Sequence, residues 1–324
     1  MRRTLGIVAV LLVMGAWGLW QIDMVRQTVQ IAFLSLTGGL WKIRGRLRTF
    51  MVLSPALGQK RQVIVYLPPG YDLGENRQRH YPVLYLLHGF PDPGDGWVRF
   101  GLAPQLVDKA IVDKELPPLV IVMPDAHGAI GQFGDGEYLN ALTGNGRPGT
   151  RIEDYIARDI PRWVDDHFRT VASARGRFVG GESTGAYAAV NIGLKYPTVF
   201  GTMVSLSGYF DADLKHFGKT LWGPAPTTAQ IDAESPVEYV RGPRPEWRDS
   251  FVYLGSGFSD YPGIPAQNDR LEARLTAAGV LHLHNRLPGH HSWDLWRLML
   301  MDGLYAVKPR LEAASEPGPP RARP

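Results

Sequence analysis

The sequence predicts a layered α/β fold with a mainly parallel central sheet flanked by helices, and three observations lead there. First, short runs such as Pro82-Val-Leu-Tyr-Leu-Leu87 and Leu119-Val-Ile-Val-Met123 are apolar without alternation, as strands covered on both faces must be. Second, segments with apolar residues at helical spacing stand between such runs. Third, the alternation continues from about Arg46 to Val307 with turn residues at each junction. The bulk composition agrees: 324 residues, 44% hydrophobic and 20% charged, with 37 Gly and 26 Pro to punctuate the chain.

In chain order, Arg2 and Arg3 precede nineteen uncharged residues, Thr4–Ile22. That is close to the roughly 20 needed to span a bilayer as a helix. The run ends in Trp17, Trp20 and Ile22 rather than in the small residues of a cleavage site, so an uncleaved signal anchor is expected, with a cleaved signal peptide as the alternative. Residues 1–45 are therefore read as anchor plus juxtamembrane segment, with the folded domain extracytoplasmic. The net charge of +4 gathers partly at the ends (Lys42, Arg44, Arg46 and Arg48; Arg321 and Arg323). A basic flank beside an apolar segment fits a membrane surface, and no basic, aromatic-interleaved stripe points to nucleic acid. The absence of cysteine excludes disulfides, thiolate zinc sites and a Cys nucleophile.

A catalytic domain is expected over residues 46–307. Gln62-Val-Ile-Val-Tyr-Leu67 reads as a strand stopped by Pro68-Pro69-Gly70. Ile152, Tyr155, Ile156, Ile160, Trp163, Val164 and Phe168 lie at helical spacings, with a kink expected at Pro161. Arg177–Gly181 reads as a strand feeding an Ala-rich helix from Thr184 to Leu194. Strands Met203–Ser207, Phe251–Leu254 and Leu281–Leu287 follow, with helices Asn268–Ala278 and Trp293–Val307. Residues 308–324 are polar and proline-rich, so a disordered tail is expected.

Gly181-Glu182-Ser183-Thr184-Gly185 has the form G-x-S-x-G between an apolar strand and a helix. This is the context of a nucleophile elbow in the α/β-hydrolase fold, where flanking glycines let strand and helix approach closely. A hydroxyl needs a base, and the order Ser, acid, His leaves His216, His282, His284, His290 and His291. His282 and His284 lie in a strand-like run. His291 sits in the loop after the last strand, just before a plausible N-cap at Ser292, and leads over His290. Four histidines within ten residues also invite a metal reading, but only Asp294 lies nearby and metal sites usually add more carboxylates or thiolates. No metal or organic cofactor is expected.

The acid should follow the strand at Phe251–Leu254. Asp260 lies beyond that strand's carboxyl end, Asp249 lies before it, and Asp269 and Glu272 fall in the next helix. For the oxyanion, the amide after the nucleophile, Thr184, should be one donor. Phe90 should be the other, because His88-Gly89-Phe90-Pro91 follows the strand Val83–Leu87 and Pro91 has no N–H.

Val65-Tyr-Leu-Pro-Pro-Gly-Tyr71, Tyr81-Pro-Val-Leu-Tyr-Leu-Leu-His-Gly89, Val122-Met-Pro-Asp125, Gly181-Glu-Ser-Thr-Gly185, Ser207-Gly208 and His291-Ser-Trp-Asp-Leu-Trp296, in that order, resemble the esterase D-like family. That family includes feruloyl esterases, S-formylglutathione hydrolase and mycolyltransferases. The resemblance spans residues 48–306. It implies an acyl-enzyme mechanism on Ser183, Asp260 and His291 with Phe90 and Thr184 as oxyanion donors, and its His-Ser-Trp ending favours His291. Mycolyltransferases carry a glutamate as the acid, so Asp260 points to hydrolysis of a small-molecule, lipid or carbohydrate ester. The rival readings are an extracytoplasmic acyltransferase, for which Trp97 and Phe100 would be lipid contacts, and a catalytically inactive, membrane-anchored binding protein.

Overall fold

Among the described residues eight extended segments, most of them rich in β-branched and aromatic residues, form one sheet. The structure, a computed structural model, describes residues 41–126, 138–140, 151–212 and 227–316. The strands are β1 (Arg46–Ser54), β2 (Gln59–Leu67), β3 (Val83–Leu87), β4 (Val120–Pro124), β5 (Arg177–Glu182), β6 (Thr202–Leu206), β7 (Phe251–Ser259) and β8 (Leu281–His290). Their order across the sheet is β1-β2-β4-β3-β5-β6-β7-β8. β1 and β2 form an antiparallel hairpin, β2 pairs antiparallel with β4, and every later pairing is parallel. This is the mainly parallel sheet the unalternating apolar runs require. All residues of β3, β4 and β6 are buried, whereas the edge strands β1 (from Thr49 on) and β8 largely alternate between exposed and covered positions.

The helices used below are α1 (Ala103–Val112), α2 (Ile160–His167), α3 (Thr184–Lys195), α4 (Ile264–Ala278), α5 (Trp293–Ala306) and α6 (Lys308–Ser315). The kink expected at Pro161 takes a specific form. Tyr155–Asp159 is π-helical and passes directly into α2, so the widened turn falls where the proline removes a backbone donor. Trp97 and Phe100 are buried and pack against Trp293, with ring centroids 5.1 and 5.9 Å away. They are core residues rather than lipid contacts.

The expected disordered tail is corrected at its start. Residues 308–315 form α6, with Leu311 and Ala314 buried one helical turn apart. The polar, proline-rich average over 308–324 hid that short stripe, and Pro309 lies in the first turn, where its missing N–H costs no hydrogen bond. Residues 317–324 lie outside the described residues. So do residues 1–40, and with them the expected anchor. Among the described residues no helix is long and apolar enough to cross a membrane.

Candidate active site

The strand-to-helix turn at Ser183 is as tight as the motif requires. Ser183 has φ 53° and ψ −115°, outside the regions an L-residue favours, and α3 starts at the next residue. Two glycines make the turn possible. A Cβ on Gly181 would lie 2.5 Å from the Leu87 carbonyl oxygen, and one on Gly185 would lie 2.4 Å from the same atom. The Ser183 N–H donates to the Leu206 carbonyl of β6 at 2.9 Å, which fixes the turn to the sheet.

His291 follows β8, and Asp260 follows β7. Parallel pairing brings both loops to the carboxyl edge of the sheet beside the end of β5. His291 Nε2 stands 2.9 Å from Ser183 Oγ, and His291 Nδ1 stands 2.6 Å from Asp260 Oδ1. An ionised Asp260 accepts from Nδ1–H, which leaves Nε2 as the acceptor facing the Ser183 hydroxyl. Asp260 Oδ1 also accepts from the Tyr261 N–H at 3.0 Å, and Oδ2 accepts from the Gly257 N–H at 2.9 Å. Burial alone would raise the Asp260 pKa. Hydrogen bonds from His291, Ser207 and the Gly257 amide, together with the imidazole charge, outweigh burial and hold it below the ordinary aspartate value.

His291 is packed on both sides. The Tyr261 ring stacks on it at 4.3 Å, and Trp296 of α5 meets it edge-on at 4.9 Å. These neighbours and the Ser207 hydroxyl were not among the residues expected at the site. Ser207-Gly208 was visible as a motif, but its role depends on Ser207 standing at φ 59° after β6, which brings its side chain to Asp260.

The other candidates separate from this cluster. His290 is exposed at the end of β8. His282 Nδ1 lies 2.8 Å from the Val280 carbonyl, and His284 Nδ1 lies 2.8 Å from Glu272. Asp249 is exposed before β7. His216 lies outside the described residues. The four histidines and Asp294 do not converge on a metal-like cage. Among the described residues the one grouping of that type is Asp269, Glu272 and His284, an ion-pair cluster between α4 and β8 that Arg286 joins through Asp269.

The register brings the strand ends that lead to Phe90 and to Ser183 side by side. Leu87 of β3 pairs with Gly181 of β5, so Phe90 and Ser183 leave neighbouring strand ends within a few residues of that pair. Thr184 is the first residue of α3, where backbone N–H groups have no intrahelical acceptor. Phe90 N–H belongs to the same peptide as the Gly89 carbonyl. His88 Nδ1 holds that carbonyl at 2.9 Å, while its Nε2 accepts from the Ala126 N–H at 3.1 Å. In a trans peptide the C=O and N–H point in opposite directions, so holding one aims the other.

A strained serine, an aspartate and a histidine in that chain order, at the carboxyl edge of a mainly parallel sheet, define the α/β-hydrolase class of architecture. The family model "Putative esterase" matches residues 54–307, and the chain belongs to that family. An esterase of Mycobacterium tuberculosis is 30% identical over 301 residues, covering 83% of this chain and 60% of its own length. The chain thus spans less than two thirds of that relative. Among solved structures, a ferulic acid esterase superposes with a TM-score of 0.70 at 23% identity, covering 82% of this chain and 99% of its own. An S-formylglutathione hydrolase from Agrobacterium tumefaciens gives 0.64 at 18% identity, covering 84% and 97%. At these identities the two structures speak for the fold.

Proposed function

We propose that the chain is a serine esterase that works through a covalent acyl-enzyme. The observation that carries this reading is His291 bridging Ser183 at 2.9 Å and Asp260 at 2.6 Å. Ser183 Oγ attacks the ester carbonyl carbon while His291 Nε2 takes its proton, and Asp260 stabilises the imidazolium. The Phe90 and Thr184 amides receive the oxyanion. The C–O bond to the alcohol then breaks, with the proton returning from His291 to the leaving oxygen. Water, deprotonated by His291, attacks the acyl-enzyme and releases the acid and Ser183. Aspartate rather than glutamate as the acid favours hydrolysis over acyl transfer. The names of the relatives favour a carboxylic ester, with feruloyl-type esters one candidate class. The apolar segment Thr4–Ile22 would hold the domain at the outer face of a membrane.

The test is hydrolysis of p-nitrophenyl esters of graded acyl length by the full chain in detergent, beside Ser183→Ala. The reading expects turnover that falls by about 10⁴-fold or more in the variant, and fluorophosphonate labelling confined to Ser183. A wild-type chain that neither turns over nor labels would overturn it in favour of a binding role. Acyl transfer to an added sugar in preference to water would move it to the acyltransferase reading.

A further inference from the structure

One group beside the nucleophile is left unused by that mechanism. Glu182, the residue before Ser183, is wholly buried at the end of β5, and Asp92, on the loop after β3, is only 2% exposed. One Glu182 carboxyl oxygen accepts from the Gly89 N–H. The two carboxyl groups face each other within hydrogen-bonding reach. Glu182 Oε2 receives no N–H or O–H donor from the described residues. Two buried carboxylates in contact repel each other when both are ionised, whereas a carboxyl–carboxylate pair holding one proton relieves that repulsion.

We propose that Glu182 and Asp92 form a proton-sharing acid pair that positions the oxyanion loop. The proposal rests on the esterase reading above, because the loop matters only if Phe90 N–H receives an oxyanion. Gly89 is gripped at both ends. Glu182 takes its N–H, and His88 holds its carbonyl, so the peptide carrying Phe90 N–H has little freedom to rotate. Glu182 also precedes Ser183 directly, so one side chain links the orientation of the nucleophile turn to that of the donor loop. Neither acid touches the reacting atoms, which makes them positioning residues.

The groups facing the pair support one shared proton. Among the described residues, His88 from the same loop contacts Gly89 through Nδ1 and Ala126 through Nε2. Asp125, beyond β4, lies 3.8 Å from both His88 and Arg61 of β2, so that cation serves Asp125. Tyr138 donates its hydroxyl to the His88 carbonyl. Burial, and then the Asp92 charge, push the Glu182 pKa well above the ordinary glutamate value, against a smaller opposing effect of the Gly89 amide. The sign for stability follows. The unfolded chain releases this proton above about pH 4.5 while the folded chain keeps it, so stability contributed by this group falls as pH rises above that value.

The experiment compares wild type, Glu182→Ala, Asp92→Ala and Glu182→Gln as full chains in detergent. It measures kcat and KM on one p-nitrophenyl ester and unfolding midpoints from about pH 5 to about pH 8. Gln has an oxygen for the Gly89 N–H and an amide N–H for Asp92. The proposal expects either Ala variant to lose kcat by about 10²-fold with KM changed by less than about threefold. It expects Glu182→Gln to recover most of that loss. It also expects the wild-type midpoint to fall relative to that of Glu182→Gln as pH rises. Fluorophosphonate labelling of each variant reports whether Ser183 is still assembled, so an unfolded Ala variant leaves the Gln comparison and the pH dependence as the deciding readouts. Unchanged kcat in folded Ala variants, a Gln variant as poor as Ala, or parallel pH curves would overturn the proposal. An inert, unlabelled wild type would instead overturn the esterase reading.

Discussion

At Ser183 the chain adopts φ 53° and ψ −115°, a geometry that costs about 1–3 kcal/mol and persists only where the surroundings impose it. Those surroundings are Gly181 and Gly185 against the Leu87 carbonyl and the anchoring bond to Leu206. The strain has a use: it lifts Oγ off the strand and toward His291 Nε2. The same reasoning makes Asp260→Asn informative. An Asn side chain turning its N–H₂ toward Nδ1 would favour the tautomer whose Nε2–H faces Ser183, so the imidazole could not take the hydroxyl proton. The expected outcome is a kcat lower by about 10³–10⁴-fold with labelling by fluorophosphonate correspondingly slow. The pH dependence of stability tests the same side chain. Its folded pKa lies below the ordinary 3.8, so its contribution is present above that value and disappears as pH falls through the lower folded one. Urea midpoints of wild type and Asp260→Asn should therefore converge only below about pH 3.8.

Helix α3 follows directly on Ser183 and carries an ion cluster at its last turn. Lys195 Nζ lies 2.9 Å from Glu153 and 2.7 Å from Glu234, and Asn191 donates to Glu234 at 2.9 Å. Burial opposes the Lys195 charge, but Glu234 and Glu153 more than offset it and raise its pKa. Lys195→Met leaves two mostly buried carboxylates without their shared cation. The expected loss is toward the lower end of about 3–5 kcal/mol, because a quarter of the Lys195 side chain remains exposed. Denaturant unfolding would measure it, and a variant as stable as wild type would show the cluster to be dispensable. Legibility in the sequence divides along similar lines. β3, β4, β6 and α3 were readable because burial on both faces, or a run of small residues after a glycine-flanked serine, leaves a local signature. Strand β1 was not, since Leu47, Met51 and Leu53 point outward at an edge and break the alternation rule. The candidates Ser183, Asp260 and His291, which the fold brings together, could be picked out because chain order and strand ends narrow the choice. Ser207, Tyr261 and the Glu182–Asp92 contact were not, because they depend on loop conformations that bring residues from separate strands together.

The described residues from Ile43 onward form one compact unit with their own sheet and core, and every residue assigned a part in the chemistry, from Phe90 to His291, belongs to it. The segment Thr4–Ile22 carries a different kind of information. As a helix its nineteen residues would extend about 28 Å, near the roughly 30 Å of a bilayer's hydrocarbon core. Asp23 and Arg26 follow it as Arg2 and Arg3 precede it, so charges bracket the apolar run. If the segment's work is attachment alone, deletion of residues 1–42 should separate two properties the full chain holds together. The full chain should stay with membranes through an alkaline carbonate wash, because a spanning helix is held by burial of apolar surface rather than by exposed charge. The shortened chain should appear in the soluble fraction with kcat/KM on a water-soluble ester within about twofold of the full chain, since no transition-state contact has been removed. Release of the full chain by carbonate would show that it is not inserted. A large loss of kcat/KM on deletion would show that the segment contributes to the site itself, and the two functions would then have to be treated as one.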